Sequence, residues 1–380
     1  MEYLKLKDVA DIHLGLTHTP KYVDSGIPFL SVKDISGGNI DFSNCHYITE
    51  EEYNTLPKGA KPECGDMLFC RVGTIGKPII IKENVPKFGS FVSLGFLRRK
   101  NNEILLNYLK YWMNSNLFYK QVKQNVKGVA QINLNTTWLK EFDIPKVSLK
   151  EQKKIVDKLS KVDKMICIKK NEIEKLNQLI KSQFVEMFEN KDYPLKTLDS
   201  ISLKKGEYGA GSASIPYNCN RPRYVRITDI NEDGTLNNDC VSSIEENDDI
   251  TYKLEYGDFM FARMGATVGK TYAFEKGNQI FAGYLIRFKL NIDIVNPKYL
   301  FWFTKTTKYN EWVKLNQSGA AQPGINAKKY GSLEIPIPPI ELQNKFAQIV
   351  EQIDKQKFEF ENSLKKLEEL QASLMQEYFG

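Results

Sequence analysis

Two stretches carry the residue types from which a phosphate- or base-contacting loop is built. Arg263-Met-Gly-Ala-Thr-Val-Gly269-Lys270-Thr271 sets Arg, Thr and Lys around two glycines. Arg71-Val-Gly73-Thr74-Ile-Gly76-Lys77-Pro78 does the same in the first half of the chain. A nucleotide-binding P-loop needs four residues between its glycines and Ser or Thr after its Lys. The later stretch has three between Gly265 and Gly269, and the earlier one is shorter still and continues into Pro78. The spacing therefore argues against nucleotide hydrolysis. Both stretches read as Gly-rich connections between strands, with Gly supplying positive φ and close backbone approach. Arg71, Thr74, Lys77, Arg263, Thr267 and Lys270 are then candidates for contact with a DNA backbone or base edge. The plainer reading is a structural hairpin with a solvated lysine.

Two further loops pair a Gln with small neighbours: Gly128-Val-Ala-Gln131 beside Lys127, and Gly319-Ala-Ala-Gln322 followed by Lys328-Lys329. Gln is a bidentate partner for adenine, and small neighbours allow close approach. A turn with an exposed amide would look the same. Arg221, Arg223 and Arg226 form a basic, aromatic-flanked cluster around Tyr224, and Lys33 is a further basic candidate in the first half. Motif pairing sets Arg226 opposite Ser31. Arg71 and Arg263 are the candidates for bidentate contact with guanine.

Other chemistries find little support. The three histidines, His13, His18 and His46, have no cysteines at zinc-finger spacing, so no metal site is expected. No H-E-x-x-H, G-x-S-x-G or strand-following G-x-G occurs. Nothing selects a catalytic serine or carboxylate pair. The chain reads as a reader rather than a catalyst.

The elements that must position these loops occur twice. Gln131/Gln322, Pro145/Pro336, Gln152/Gln343 and Phe188/Phe379 are each 191 positions apart in a chain of 380. That period is far longer than a solenoid unit and implies two whole domains. Each half opens with strand-like segments rich in β-branched and aromatic residues, among them those at 27–32, 66–72, 78–81 and 90–97, and at 224–228, 258–264, 271–274 and 284–288. One helix is expected over 105–122 and one over 297–315. Residues 149–190 contain no Gly or Pro. Leu159, Ile166, Ile173, Ile180 and Met187 make a seven-residue seam there, and Phe346, Ile353, Phe360, Leu367 and Leu374 make another near the C-terminus. A helix of about 41 residues spans roughly 60 Å.

Composition agrees. Net charge is +6, hydrophobic content 42% and aromatic content 12%, which suit a soluble globular chain without a membrane span. Six scattered cysteines with no C-x-x-C, and no cationic-apolar leader, point to a cytoplasmic protein. The two helical segments carry +3 (149–190) and −3 (339–380), as suits helices that pair with each other. All eight arginines lie outside them. The expected fold is α+β: mixed α/β domains at 1–148 and 191–338, joined by long antiparallel coiled-coil helices at 149–190 and 339–380, with approximate two-fold symmetry.

This pattern resembles the specificity (S) subunit of type I restriction-modification systems over the full length. The resemblance rests on the repeat, on Gly65-Asp66…Arg71 and Gly257-Asp258…Arg263 with their Gly-Lys loops, and on two boundary phrases. Those phrases run Phe142-Asp-Ile-Pro145 to Glu151-Gln152, and Leu333-Glu-Ile-Pro336 to Leu342-Gln343, the second departing from the family's Glu-Gln at Leu342. The resemblance implies that each globular segment is a target recognition domain for one half of a bipartite, asymmetric double-stranded DNA site. It implies helices that set the spacer and dock modification (M) subunits, which carry S-adenosylmethionine and methylate adenine. Restriction (R) subunits would cut, and this chain would bind no cofactor and catalyse nothing. The alternatives are a coiled-coil scaffold with protein- or carbohydrate-binding heads, or a nucleotide-binding enzyme using the Gly-Lys loops.

Overall fold

The structure, a computed structural model, describes residues 2–125, 133–189, 191–245, 251–317 and 324–380. Two compact units divide it: Met1–Lys170 with Asn362–Gly380, and Asn171–Glu361. The long helices, Leu149–Phe188 and Ile340–Phe379, each give one half to either unit.

The first unit is built on an antiparallel sheet ordered Ala10–Leu14, Leu94–Arg99, Met67–Cys70, Gly76–Ile80. Met67–Cys70 is buried at every position, because side-chain alternation sends Met67 and Phe69 into one core and Leu68 and Cys70 into another. The first core holds the helices. The second lies under a smaller sheet of His46–Ile48, Ile27–Leu30 and Gly89–Ser90.

The second unit repeats the plan with a sheet ordered Glu207–Tyr208, Leu285–Lys289, Asp258–Ala262, Thr271–Ala273. Phe259 and Phe261 enter its helix-side core, and Met260 and Ala262 the opposite one. Each unit is also stitched end to start: Tyr3–Lys5 pairs with Asp143–Pro145, and Leu195–Thr197 with Glu334–Pro336.

Where one helix was expected in each head, the structure has two: Leu106–Met113 then Asn116–Asn125, and Pro297–Phe303 then Thr307–Asn316. A hydroxyl makes both breaks. Ser115 Oγ donates to Trp112 O (2.6 Å) and accepts from Phe118 N (3.3 Å). Thr306 Oγ1 donates to Phe303 O (2.7 Å) and accepts from Tyr309 N (3.3 Å). Each side chain ends one helix and caps the next. Ser115 and Thr306 are themselves one repeat apart.

The long helices run antiparallel where they meet inside each unit. In the first, Asp163 binds Gln371 (2.5 Å), Lys158 binds Tyr378 (3.0 Å) and Lys170 pairs with Glu368 (2.9 Å). In the second, Phe184 and Phe188 flank Phe346 with ring centroids 5.5 and 5.4 Å away. Leu159, Ile166, Ile180, Phe346 and Ile353 are buried, whereas Ile173, Met187, Phe360, Leu367 and Leu374 are only partly covered. The seam is tightest where it also packs on a head.

One buried glutamine fastens each head to its helix. Gln152 Oε1 accepts from Leu105 N (2.8 Å), while Nε2 donates to Glu103 O (2.8 Å) and Val147 O (3.0 Å). Gln343 repeats this with Asn296 N (2.9 Å), Ile294 O (3.1 Å) and Pro338 O (2.8 Å). Both side chains are at most 1% exposed. Beside them Tyr108 donates to Pro145 O (3.0 Å) and Tyr299 to Pro336 O (2.6 Å). Leu at 343 would strand one N–H and two carbonyls in a dry site, so Gln343→Leu should destabilise the second unit by about 3 kcal/mol. Denaturant unfolding of the full chain checks this, and a change under about 0.5 kcal/mol would contradict the clamp.

Candidate nucleic-acid interface

The Gly-Lys loops turn between antiparallel strands as expected, and their glycines adopt positive φ: Gly73 72°, Gly76 87°, Gly265 70° and Gly269 87°. Lys270 leads into a strand, Thr271–Ala273, not into the helix a P-loop requires. Lys77 also has positive φ, 51°, and is exposed together with Thr74.

The Asp of each Gly-Asp strand belongs to the frame. Asp66 accepts from Glu63 N (2.8 Å) and takes a bidentate grip from Arg98 (2.9 and 2.7 Å). Asp258 accepts from Glu255 N (2.8 Å), and Arg287 approaches it to 3.6 Å while gripping Glu207. Burial pushes the Asp258 carboxyl above its ordinary value.

The predicted arginines divide by what they touch. Arg71 Nε donates to Leu134 O (2.8 Å) and Nη1 to Val92 O (3.2 Å), and burial pulls its pKa below the usual arginine value. Arg226 grips Asp229 (3.2 and 2.8 Å) and Cys240 O (2.7 Å). Arg223 binds Asn238 Oδ1 (2.8 Å) and Asn237 O, and Arg221 binds Ile244 O (3.0 Å). Arg263 differs. Its guanidinium carbon lies 4.7 Å from the Tyr208 ring centroid and 5.9 Å from that of Tyr284.

Among the predicted lysines, Lys33 is exposed with Nζ 3.4 Å from His46 Nε2, and Lys328 is exposed on the short helix Ala327–Gly331. Lys329 donates to Asn316 O (2.9 Å), and Lys270 pairs with Glu232 (2.7 Å). Thr267 donates to Met264 O (3.2 Å). Lys127, Gln131 and Gln322 lie outside the described residues. The pairing of Arg226 with Ser31 has a structural counterpart: each precedes a one-turn 3-10 helix, and the backbone N–H of each donates to the third residue on, Asp34 (2.6 Å) or Asp229 (2.9 Å).

Tyr208 and Tyr284 were not singled out by the sequence, nor were the clamping roles of Gln152 and Gln343. The glutamines were visible in the repeat, and their burial is what reveals the role. The tyrosines carried no repeat signal, because the strand register sets them opposite Leu14 and Ser93 of the first unit.

A cavity of about 1050 Å³ opens in the second unit beside Lys181, Lys305 and Phe358. Its lysines are largely answered by acids, as in Lys298–Glu275 (2.6 Å), so it offers no surface of one charge. Burial brings Lys305 down to about 8. Among the described residues, no group of three or more His, Cys, Asp or Glu is placed to hold a metal ion, and no helix is long and apolar enough to cross a membrane.

Two α+β heads with the same frame and different exposed loops, each fastened to paired long helices, define a two-headed recognition protein. The family described as the type I restriction modification DNA specificity domain matches residues 1–178 and again 190–372. The chain belongs to that family and is a type I restriction-modification specificity subunit. It is 26% identical to the putative type I restriction enzyme MjaX specificity subunit of Methanocaldococcus jannaschii, over 96% of this chain and 91% of that one. It is 20% identical to the EcoKI specificity subunit of Escherichia coli K12, over 94% and 82%. The S subunit structure from M. genitalium shares the fold, with TM-score 0.60 and 16% identity over 100% of this chain and 96% of that one.

Arg71→Met should leave the Leu134 and Val92 carbonyls without their donor and cost about 1–3 kcal/mol of stability. Denaturant unfolding of the full chain measures it; an unchanged midpoint would show that Arg71 holds nothing.

Proposed function

We propose that this chain gives sequence specificity to a DNA-modifying assembly, each head binding one half of a bipartite, asymmetric duplex target. The observation that carries this is selective divergence inside the repeat. Parts that hold the frame are kept in both units: Gln152 and Gln343, Tyr108 and Tyr299, Asp66 and Asp258, Ser115 and Thr306. Parts at the partly exposed margin of that frame differ, such as Ser31 against Arg226 and Ser93 against exposed Tyr284. A common frame with distinct surfaces suits two different half-sites held at one separation.

In this reading the long helices set the spacer and dock adenine methyltransferase subunits, and restriction subunits join that assembly. Apolar side chains left exposed along the helices support docking: Met165 (51%) and Ile168 (55%) in the first unit, Phe358 (64%) in the second. S-adenosylmethionine belongs on the methyltransferase partner, and the chain itself contributes recognition and no catalysis. The target adenine must leave the base stack to be methylated, and the heads fix which one does. Exposed Lys33, Thr74, Lys77 and Lys328 contribute phosphate contacts and a salt-dependent affinity. Such an assembly works in the cytoplasm, where the DNA is.

Single-molecule sequencing of a genome exposed to this chain with its methyltransferase partner tests the reading. The expected result is methylated adenine in a two-part motif with a fixed spacer. Replacing residues 191–338 by those of another specificity subunit should change one half of the motif and keep the other. Absence of any motif, or a change in both halves, would contradict it.

A further inference from the structure

We infer that Arg263 is the side chain with which the second unit reads a guanine, and that Arg71, its counterpart in the first unit, reads nothing. The inference rests on the DNA-specificity reading and assigns a base and a residue within it.

The two arginines occupy the same place in the frame. Arg71 N donates to Ser93 O (3.0 Å), and Leu134 N donates to Arg71 O (2.9 Å). Arg263 N donates to Tyr284 O (3.1 Å), and Ile325 N donates to Arg263 O (2.9 Å). Identical backbone bonds launch the two side chains from the same strand end. Their guanidinium groups then meet different neighbours.

Arg71 turns inward and closes the carbonyls of Leu134 and Val92. Its register neighbours are Leu14 and Ser93, neither of which offers an aromatic face. Arg263 instead lies against Tyr208 and Tyr284, which are 43% and 56% exposed. Among the described residues its guanidinium makes no hydrogen bond or ion pair, and Nε is buried without a partner. The arginine is partly exposed, and its terminal N–H groups have no partner among the described residues. Tyr208 is itself anchored, its hydroxyl accepting from Ala327 N (3.2 Å) one residue before exposed Lys328.

Chemistry selects the ligand. A guanidinium held by aromatic faces keeps its plane and orientation while its terminal N–H groups stay available. That is the geometry for two parallel hydrogen bonds to O6 and N7 of guanine in the major groove. Ordering the side chain before binding lowers the entropic cost of the contact. A phosphate could also accept from it, and the two cases separate experimentally. A base contact discriminates between sequences, whereas a phosphate contact weakens all of them alike.

The test uses the full chain assembled with its methyltransferase partner. Affinity for target and scrambled duplexes is measured over a salt series, and the methylated motif is mapped by single-molecule sequencing. Thermal unfolding verifies that each variant is folded. For Arg263→Ala the expected result is a loss of about ten- to a hundredfold on the target, with scrambled DNA changed only a fewfold. One G·C position should become degenerate in one half of the motif, the other half standing. Arg263→Lys should not restore it, because an ammonium lacks the paired donors. Tyr284→Ser, which installs the first unit's residue, should loosen the same position. Arg71→Lys should leave the motif unchanged. Equal losses on target and scrambled DNA, with the salt slope reduced by about one, would show a phosphate contact and overturn the inference. An unchanged motif in Arg263→Ala would overturn it too. If the unaltered assembly methylates no two-part motif, the functional reading falls and this inference with it.

Discussion

The amide of a single buried glutamine ties each head to the helix that leaves it. Gln152 and Gln343 each satisfy one backbone N–H and two carbonyls drawn from two separate segments. Only Gln or Asn offers two N–H donors and a carbonyl acceptor on one uncharged group, and Gln has the longer reach. Carboxylates would carry charge into a dry site and lack the donors. Around this amide the chain also closes on itself, since the strands Tyr3–Lys5 and Leu195–Thr197 pair with the residues that run up to each helix. The consequence is a head whose angle on its helix is fixed by buried polar geometry rather than by apolar packing alone. A reader that must present loops to a rigid duplex needs that kind of constraint.

The frame extends from the clamp to the reading edge. Burial at every position of Met67–Cys70 and Asp258–Ala262 makes the middle strand of each sheet rigid, and the Gly-Asp turn at its start is locked by a carboxylate. Within that strand the two units differ only among apolar residues, and their polar differences fall at the strand ends and beyond. Arg71 and Arg263 mark that boundary: the guanidinium launched from the same backbone position binds two carbonyls in one unit and lies against two tyrosines in the other. Arg226 shows a milder case, where a guanidinium is added to a capping turn that Ser31 forms with its hydroxyl.

Much of this was legible in the sequence. Seven-residue spacing gave both long helices because a continuous seam needs no knowledge of its partner. Three of the four strands of each main sheet were visible as apolar runs, but the edge strands Ala10–Leu14 and Glu207–Tyr208 were not; the loop glycines announced positive φ. What was hidden depended on distant partners. One helix was expected over 105–122 because the apolar stripe continues through the break, and a small hydroxyl at Ser115 or Thr306 ends and restarts the helix. The inward turn of Arg71 depends on Leu134, sixty-three positions away, and nothing local announces it. Tyr208 and Tyr284 escaped notice because each falls where the repeat fails. The compact units also divide each long helix between them, a partition that composition and periodicity do not register.

The claim that a rigid clamped frame carries variable reading loops is tested most directly by amide hydrogen exchange on the assembled protein, with and without its DNA target. The account predicts that the amides of Leu105 and Asn296, held by the clamping glutamines, exchange slowly in both states. It predicts that target DNA slows exchange at 71–77, 208–212 and 263–270. Fast exchange at Leu105 and Asn296 in the absence of DNA, or protection confined to the clamps while those loops stay unchanged, would contradict it.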